Sequence, residues 1–145
     1  KMVELGVTVG LGTDAMTVNM LEELRVGLWA QHLKQNDPSK GFMEIANTLL
    51  KNNPAIAQKY WGAGHGTIAE GSPADIIVVD YDPHTPLDAN TWMGHVIFGL
   101  SQARVDATIC AGKVLMWDGE LLLDIDEQAI MARSRELAAA LWDRF

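Results

Sequence analysis

The chain has 145 residues, of which 48% are hydrophobic and 21% charged, and its formal net charge is −8. This length and composition are typical of a folded domain with its own core rather than a disordered chain. The acidic balance without a Lys/Arg run argues against a nucleic-acid partner, and no apolar stretch is long enough to span a bilayer. Because Cys110 is the only cysteine, no internal disulfide can form, and we expect a cytoplasmic protein without a membrane partner.

The first predicted element is a strand over residues 3–11, VELGVTVGL, because apolar residues alternate there with polar residues and glycines. Gly10 and Gly12 predict that another element or a substrate approaches the backbone closely. Asp14 follows directly, so the sequence places a carboxylate at the end of a strand that we expect to be buried. The residues that would form its buried face are Val3, Leu5, Val7, Val9 and Leu11.

Three helices are predicted next. The first covers residues 20–34, with Asn19 as its N-cap and Glu22 at the spacing of a capping box. The second covers residues 42–51 and the third residues 54–60, and an Asn-Asn-Pro sequence between them is expected to end the second helix. The apolar stripe of the first helix comprises Leu21, Leu24, Leu28 and Trp29.

The second half of the chain has a different pattern. A glycine-punctuated loop begins near residue 62, and a strand is predicted over residues 74–82. Residues 105–122 read as strands joined by a turn at Gly112-Lys113 and by a hairpin turn at Asp118-Gly119. A helix with an apolar stripe follows from Asp126. We therefore divide the chain into two regions, residues 1–62 and residues 63–145.

Asp14 has two interpretations that the residues alone leave open. An Asp after a strand is commonly a turn or helix-cap residue. At the carboxyl end of a strand in a (β/α)8 barrel, the same carboxylate can hold a metal ion or accept a proton. A dinucleotide-binding loop is excluded, because Gly6, Gly10 and Gly12 lack the G-x-G-x-x-G spacing.

The histidines are predicted to have structural roles, since none forms a helical i, i+4 metal-binding pair. His32 lies at a helix end, where the helix dipole favours it. His65 is expected in an exposed loop, His84 in a turn, and His95 as a hydrogen-bonded residue of an apolar stretch.

The remaining reactive or aromatic residues are also given structural roles. Cys110 lies in a predicted strand and is expected to be buried and inert. The tryptophans are expected to pack in the core or at interfaces. They are Trp29, Trp61, Trp92, Trp117 and Trp142.

Three segments carry a family resemblance. Residues 11–29, LGTDAMTVNMLEELRVGLW, contain a Gly-Thr-Asp followed by Asn19 and an acidic amphipathic helix. Residues 66–87, GTIAEGSPADIIVVDYDPHTPL, contain G-x-I-x-x-G-x-x-A-D, and residues 105–121 form a closing hairpin pattern. Together these segments resemble the amidohydrolase superfamily, in its cytosine deaminase-like branch of aminohydrolases and chlorohydrolases. Thr85-Pro86-Leu87, with the later Gly-His and Phe-Gly pairs, is most similar to the SsnA-type aminohydrolases.

The resemblance implies an α/β parent, a metal-bearing (β/α)8 barrel with a composite β-sandwich. This chain would be an α+β C-terminal fragment that holds the last strand and helices of the barrel, sandwich strands and a terminal helix. Asp14 would be the strand-8 aspartate, both a ligand of a divalent metal, zinc or sometimes iron, and a proton carrier. The parent would hydrolyse C–N or C–Cl bonds, deaminating or dechlorinating a small heterocyclic substrate.

The sequence also departs from this family. It contains no H-x-H, and its four histidines follow Asp14, where the family places no ligands. Because a catalytic metal needs three or more protein ligands, we expect the chain alone to bind no metal and to be inactive. The alternative function is a non-catalytic assembly module. In that case we expect a homo-oligomer in which residues 3–11 pair with another copy or with a strand of the second region.

Overall fold

The computed structural model describes residues 1–14 and 16–145 and has an α+β architecture, with helices first and a small sheet later. The helices are α1 (Met20–Gln35), α2 (Phe42–Asn47), α3 (Asn53–Trp61), α4 (Trp92–Gly94) and α5 (Glu127–Trp142). The strands are β1 (Ile76–Asp80), β2 (Arg104–Cys110), β3 (Lys113–Trp117) and β4 (Glu120–Leu121). None of the helices within these described ranges has the length and apolar content that a bilayer crossing requires.

The first helix confirms its predicted N-terminus and ends one residue beyond its predicted end. The Asn19 side chain accepts hydrogen bonds from the backbone N–H groups of Leu21 and Glu22, as an N-cap does. The second half of the capping box does not form, since the Asn19 backbone N–H donates to the Thr17 hydroxyl at 3.1 Å. Helix α1 is therefore started by a single asparagine rather than by a reciprocal pair.

The predicted break between the second and third helices is wrong. A π-helical turn, Thr48–Asn52, joins α2 to α3, so the chain stays helical from Phe42 to Trp61. Pro54 lies in the first turn of α3. A proline at that place costs little, because the π-helical turn before it already interrupts the regular i to i−4 hydrogen-bond pattern.

The sheet confirms the predicted strands and the Asp118-Gly119 turn, whereas the other turn lies one residue before its predicted place because Lys113 already pairs with Cys110. Strands β1, β2, β3 and β4 pair antiparallel in chain order. The turns contain Ala111-Gly112 and Asp118-Gly119, and all four residues have φ between 48° and 79°. Positive φ at both central positions is the geometry that closes a two-residue hairpin.

The buried core lies between α1, α2 and a second π-helical turn, His95–Gly99. Within the described ranges it comprises Leu24, Leu28, Ile45, Ala46 and Ile97. The total accessible surface is 10963 Å², whereas a compact protein of 15.9 kDa exposes about 7,300 Å². Much apolar surface is therefore uncovered.

The predicted strand over residues 3–11 is wrong. The chain turns at residues 2–6, with φ +72° at Gly6, and residues 7–13 have no strand partner. Val3, Leu5 and Val7 are exposed rather than buried. A strand needs a neighbouring strand to satisfy its backbone, and no element in the described ranges supplies one here. The expected pairing with the second region is thus absent, and pairing with another copy stays a prediction.

Two expectations of burial are also wrong. Cys110 is exposed at the end of β2. The tryptophans do not enter the core, since each is between 41% and 73% exposed. Helix α5 follows Asp126 as the sequence predicts, and the Asp126 side chain caps it by accepting from the Ala129 N–H. None of its residues is buried. These side chains lack a covering element, so an interface role for the tryptophans stays a prediction.

Candidate functional site

Asp14 lies in a short turn between residues 7–13, which form no regular secondary structure, and helix α1. Its backbone has φ +49°, in the left-handed region that non-glycine residues rarely adopt. The Thr13 carbonyl accepts a hydrogen bond from the Met16 N–H at 3.0 Å across this turn. Asp14 is exposed, so its carboxylate is accessible to a ligand or to another part of a larger protein.

The chain before Asp14 is held by Asn53 of α3. The Leu11 N–H donates to Asn53 Oδ1 at 2.9 Å, and Asn53 Nδ2 donates to the Leu11 carbonyl at 2.8 Å. One side-chain amide thus satisfies both polar groups of one backbone residue. The neighbouring Asn52 adds a third bond, from Nδ2 to the Val9 carbonyl at 2.8 Å. These bonds give residues 9–11 what a neighbouring strand would otherwise supply.

Gly10 is required by this arrangement. A Cβ at Gly10 would lie 2.6 Å from Asn53 Oδ1 and 3.0 Å from Ile56 Cδ1. The close approach that the sequence predicts at Gly10 is therefore real, and its partner is helix α3. At Gly12 no atom lies within 4 Å of such a Cβ, so that glycine does not serve a close contact within the described residues.

The chain after Asp14 is held by Asn19. Its Oδ1 caps α1, while its Nδ2 donates to the Ser101 carbonyl at 3.2 Å. Ser101 belongs to the 3₁₀ turn Leu100–Gln102 that precedes β2, so this bond links the turn around Asp14 to the second region. Asp14 thus lies between two asparagine anchors, Asn53 on one side and Asn19 on the other.

In the described part of the chain, Asp14 does not belong to any cluster of metal-binding side chains. Within residues 1–14 and 16–145, no three His, Cys, Asp or Glu side chains are placed to hold a metal ion. Asp14 is a single carboxylate, and a metal centre needs at least three protein ligands in fixed geometry. The residues present therefore fit one ligand of such a centre and not the whole of it.

His95 has the structural role that the sequence predicts. Its Nδ1 is hydrogen-bonded to the Tyr81 hydroxyl at 2.7 Å, and its Nε2 lies 3.1 Å from the Pro86 carbonyl. A carbonyl can only accept, so Nε2 carries a proton, and in the neutral ring Nδ1 then accepts from the Tyr81 hydroxyl. With both ring nitrogens engaged, His95 offers no free nitrogen to an open groove of about 570 Å³ that it helps to line.

His65 differs from its predicted role as an exposed loop residue. It is half-buried, and its Nδ1 lies 3.5 Å from Asp75 Oδ2. The pKa of Asp75 is lowered, chiefly because its carboxylate accepts the Ala111 N–H at 2.7 Å, with smaller effects from Cys110 and His65. This cluster ties the glycine-rich loop to the end of the β2–β3 hairpin.

The sequence alone did not identify the two asparagines before Pro54 as part of the site. The sequence assigns them to a helix end, whereas their side chains bind Val9 and Leu11, which lie 43 and 42 residues earlier in the chain. The available signal was the Asn-Asn pair itself, because two polar amides in the middle of a helical stretch need partners.

Comparison with known proteins agrees with the family resemblance seen in the sequence, over most of the chain. The model of the amidohydrolase family matches residues 1–115. A 5-methylthioadenosine/S-adenosylhomocysteine deaminase of Haloarcula marismortui is 34% identical over 149 residues, which cover 99% of this chain and 33% of that protein. A 5′-deoxyadenosine deaminase of Methanoregula boonei is 30% identical over 145 residues, which cover 97% of this chain and 31% of that protein.

Solved structures share the fold. A zinc-bound adenosine deaminase from Xanthomonas campestris superposes with a TM-score of 0.73 at 21% identity, over 98% of this chain and 33% of that one. A zinc complex of atrazine chlorohydrolase from Arthrobacter aurescens gives 0.67 at 24% identity, over 93% and 30%. The chain therefore spans about a third of the length of the proteins it matches.

Proposed function

Because the chain belongs to the amidohydrolase family, we propose that it is the C-terminal third of a metal-dependent hydrolase that deaminates a nitrogen heterocycle. The observation that carries the proposal is the family match over residues 1–115, which includes Asp14 and both of its asparagine anchors. The similar deaminases of Haloarcula marismortui and Methanoregula boonei support C–N hydrolysis, and the similar chlorohydrolase keeps C–Cl cleavage as the related alternative.

We propose an adenine nucleoside modified at its 5′ position as the substrate class. The support is that the curated relatives from Haloarcula marismortui and Methanoregula boonei carry names of this kind. The resemblance of residues 85–99 to SsnA-type aminohydrolases does not define a substrate, and it stays a prediction beside this one.

Within this proposal Asp14 is the contribution of the chain to the catalytic centre, as a metal ligand and a proton carrier. The support for this role comes from the structure around Asp14. Asp14 is exposed, lies in a left-handed turn, and is fixed on both sides by long-range hydrogen bonds. The remaining ligands would come from the two thirds of the parent that this chain does not span, with zinc as the expected metal because the similar structures hold zinc.

The first experiment combines intact mass with metal analysis of the native protein. A mass about three times 15.9 kDa with one zinc or iron per chain would support the proposal, since the relatives are about three times as long. In that protein, Asp14→Asn should lower ammonia release from 5′-methylthioadenosine by about 10²–10⁴-fold, the range of a positioned acid–base group.

The matched control is Asp124→Asn, which changes an exposed aspartate after β4 in the second region. It should leave turnover unchanged. Full activity of Asp14→Asn would remove Asp14 from the catalytic centre, and an inactive wild type without metal would contradict the proposed function itself.

A second function, a non-catalytic oligomeric assembly module, is favoured by one observation. The surface of 10963 Å² is about one and a half times that of a compact chain of this size. If the native protein has a mass of 15.9 kDa and no metal, sedimentation velocity should show a dimer or larger assembly. A monomer under those conditions would contradict the assembly module.

A further inference from the structure

We infer that Asn53 is a positioning residue that fixes the backbone carrying Asp14. Its catalytic consequence rests on the proposed function, whereas its effect on the backbone does not. Asn53 lies 42 residues from Leu11 in sequence, and its side chain makes two hydrogen bonds to that one residue. These bonds are not part of the hydrogen bonding of helix α3 itself.

The two bonds act as a clamp because they run in opposite directions. The amide oxygen of Asn53 accepts from Leu11, and its nitrogen donates back, with both distances below 3.0 Å. A single hydrogen bond leaves a peptide free to pivot, whereas a pair of bonds to the same residue fixes both its position and its orientation. Leu11 is thereby held in one geometry without a neighbouring strand.

Two observations argue that Asn53 acts on Leu11 rather than on its own helix. Both side-chain hydrogen bonds of Asn53 go to Leu11, outside its own helix. The Asn53 backbone N–H already donates to the Thr48 carbonyl within the π-helical turn. The side chain is consequently free to serve the distant segment, and Gly10 leaves the space that it occupies.

The clamp reaches Asp14 through three peptide units. Asp14 holds φ +49°, a conformation that costs free energy and persists only when the surrounding structure determines it. Asn19 fixes the chain after the turn, and Asn53 fixes the chain before it. Removing Asn53 would leave the turn anchored at one end only, so the Asp14 carboxylate would sample many positions.

The test uses Asn53→Ala, Asn53→Asp and a control, Asn47→Ala, in the 145-residue chain. Asn53→Asp keeps the acceptor and loses the donor, so it should have an intermediate effect. We expect Asn53→Ala to speed hydrogen exchange of the Leu11 amide roughly tenfold and to lower the Asp14 amide order parameter from about 0.85 to below about 0.6. The control should change neither value.

A double-mutant cycle with Gly10→Ala tests the contact directly. A methyl group at Gly10 meets the Asn53 amide first, so its effect on Leu11 exchange should largely disappear in the Asn53→Ala background. If the two effects add, the two residues do not communicate and the clamp is refuted. Unchanged Leu11 exchange in Asn53→Ala, or an Asp14 amide that is already mobile in the wild type, also refutes it.

The catalytic consequence is measured in the longer protein. Asn53→Ala should lower kcat by roughly 100-fold and leave KM nearly unchanged, because Asn53 acts on the position of Asp14 and not on substrate contacts. Unchanged kcat with faster Leu11 exchange would refute the positioning role. A wild type without activity would contradict the proposed function, while the exchange measurements would still decide the clamp.

Discussion

Helices α1 and α5 are the longest elements of the two regions, and each has 16 residues with an N-cap side chain. Helix α1 buries Leu24 and Leu28 completely, whereas α5 buries nothing. Their sequences have the same kind of apolar stripe, so the difference lies in what covers it. Local sequence signals decide where a helix begins, and non-local partners decide whether its apolar face is buried.

The largest expected effect comes from matched leucine substitutions in these two helices. Leu28→Ala should lower the free energy of unfolding by about 2–5 kcal/mol, because it leaves a cavity in the core. Leu137→Ala in α5 changes a side chain that is 52% exposed and should have a much smaller effect. Urea unfolding followed by circular dichroism measures both. Equal losses would show that α5 is covered in solution and would remove the contrast.

A glycine pair in the second region gives the next largest effect. A methyl group at Gly99 would collide with the Tyr81 hydroxyl and displace it from His95, so Gly99→Ala should cost about 1–3 kcal/mol. Gly94→Ala has open space and a helical backbone, so it should be neutral or stabilising by up to about 1 kcal/mol. Thermal unfolding of both variants measures the difference. Equal stability would mean that the Tyr81–His95 bond contributes nothing.

The N-caps of α1 and α5 differ in whether they also affect the stability of the rest of the chain. Asn19→Ala should destabilise the whole chain by about 1 kcal/mol or more, because it removes the cap of α1 and the bond to Ser101. Asp126→Ala removes a cap of the same kind from a helix that packs on nothing, so it should shorten α5 without changing global unfolding. Helicity and urea midpoints distinguish the two. An equal loss of global stability in Asn19→Ala and Asp126→Ala would contradict this difference between the two helices.

The elements that the sequence predicted well are those set by local rules. Asn19 and Asp126 start helices, and Asp118-Gly119 closes a hairpin, because each needs only neighbouring residues. The strand over residues 3–11 was predicted from alternation alone, and it fails because a strand needs a partner. The family could be identified from motif order, whereas the role of Asp14 stays a prediction. The Asn53 clamp could not, since it joins residues that only tertiary structure brings together.

The smallest expected effect compares two aspartates, one in each region, whose pKa values are both lowered. In Asp37 the main cause is the Ser39 hydroxyl two residues away, whereas in Asp75 it is the Ala111 N–H, 36 residues away. A depressed carboxyl pKa stabilises the folded state above the ordinary value of 3.8, and this contribution is lost as the pH falls through the lower folded-state pKa. Acidification below pH 3.8 should therefore loosen the β2–β3 hairpin through Asp75 and only a local turn through Asp37.

Amide exchange at Ala111, corrected for the intrinsic rate, measures this in wild type, Asp75→Asn and Asp37→Asn. The acid-induced loss of protection should disappear in Asp75→Asn, because its side chain cannot titrate, and should persist in Asp37→Asn. An NMR titration of the Asp75 carboxyl carbon with a midpoint at or above 3.8 would contradict the argument. A midpoint below it would show that a long-range bond, rather than a local turn, links acid stability to the sheet.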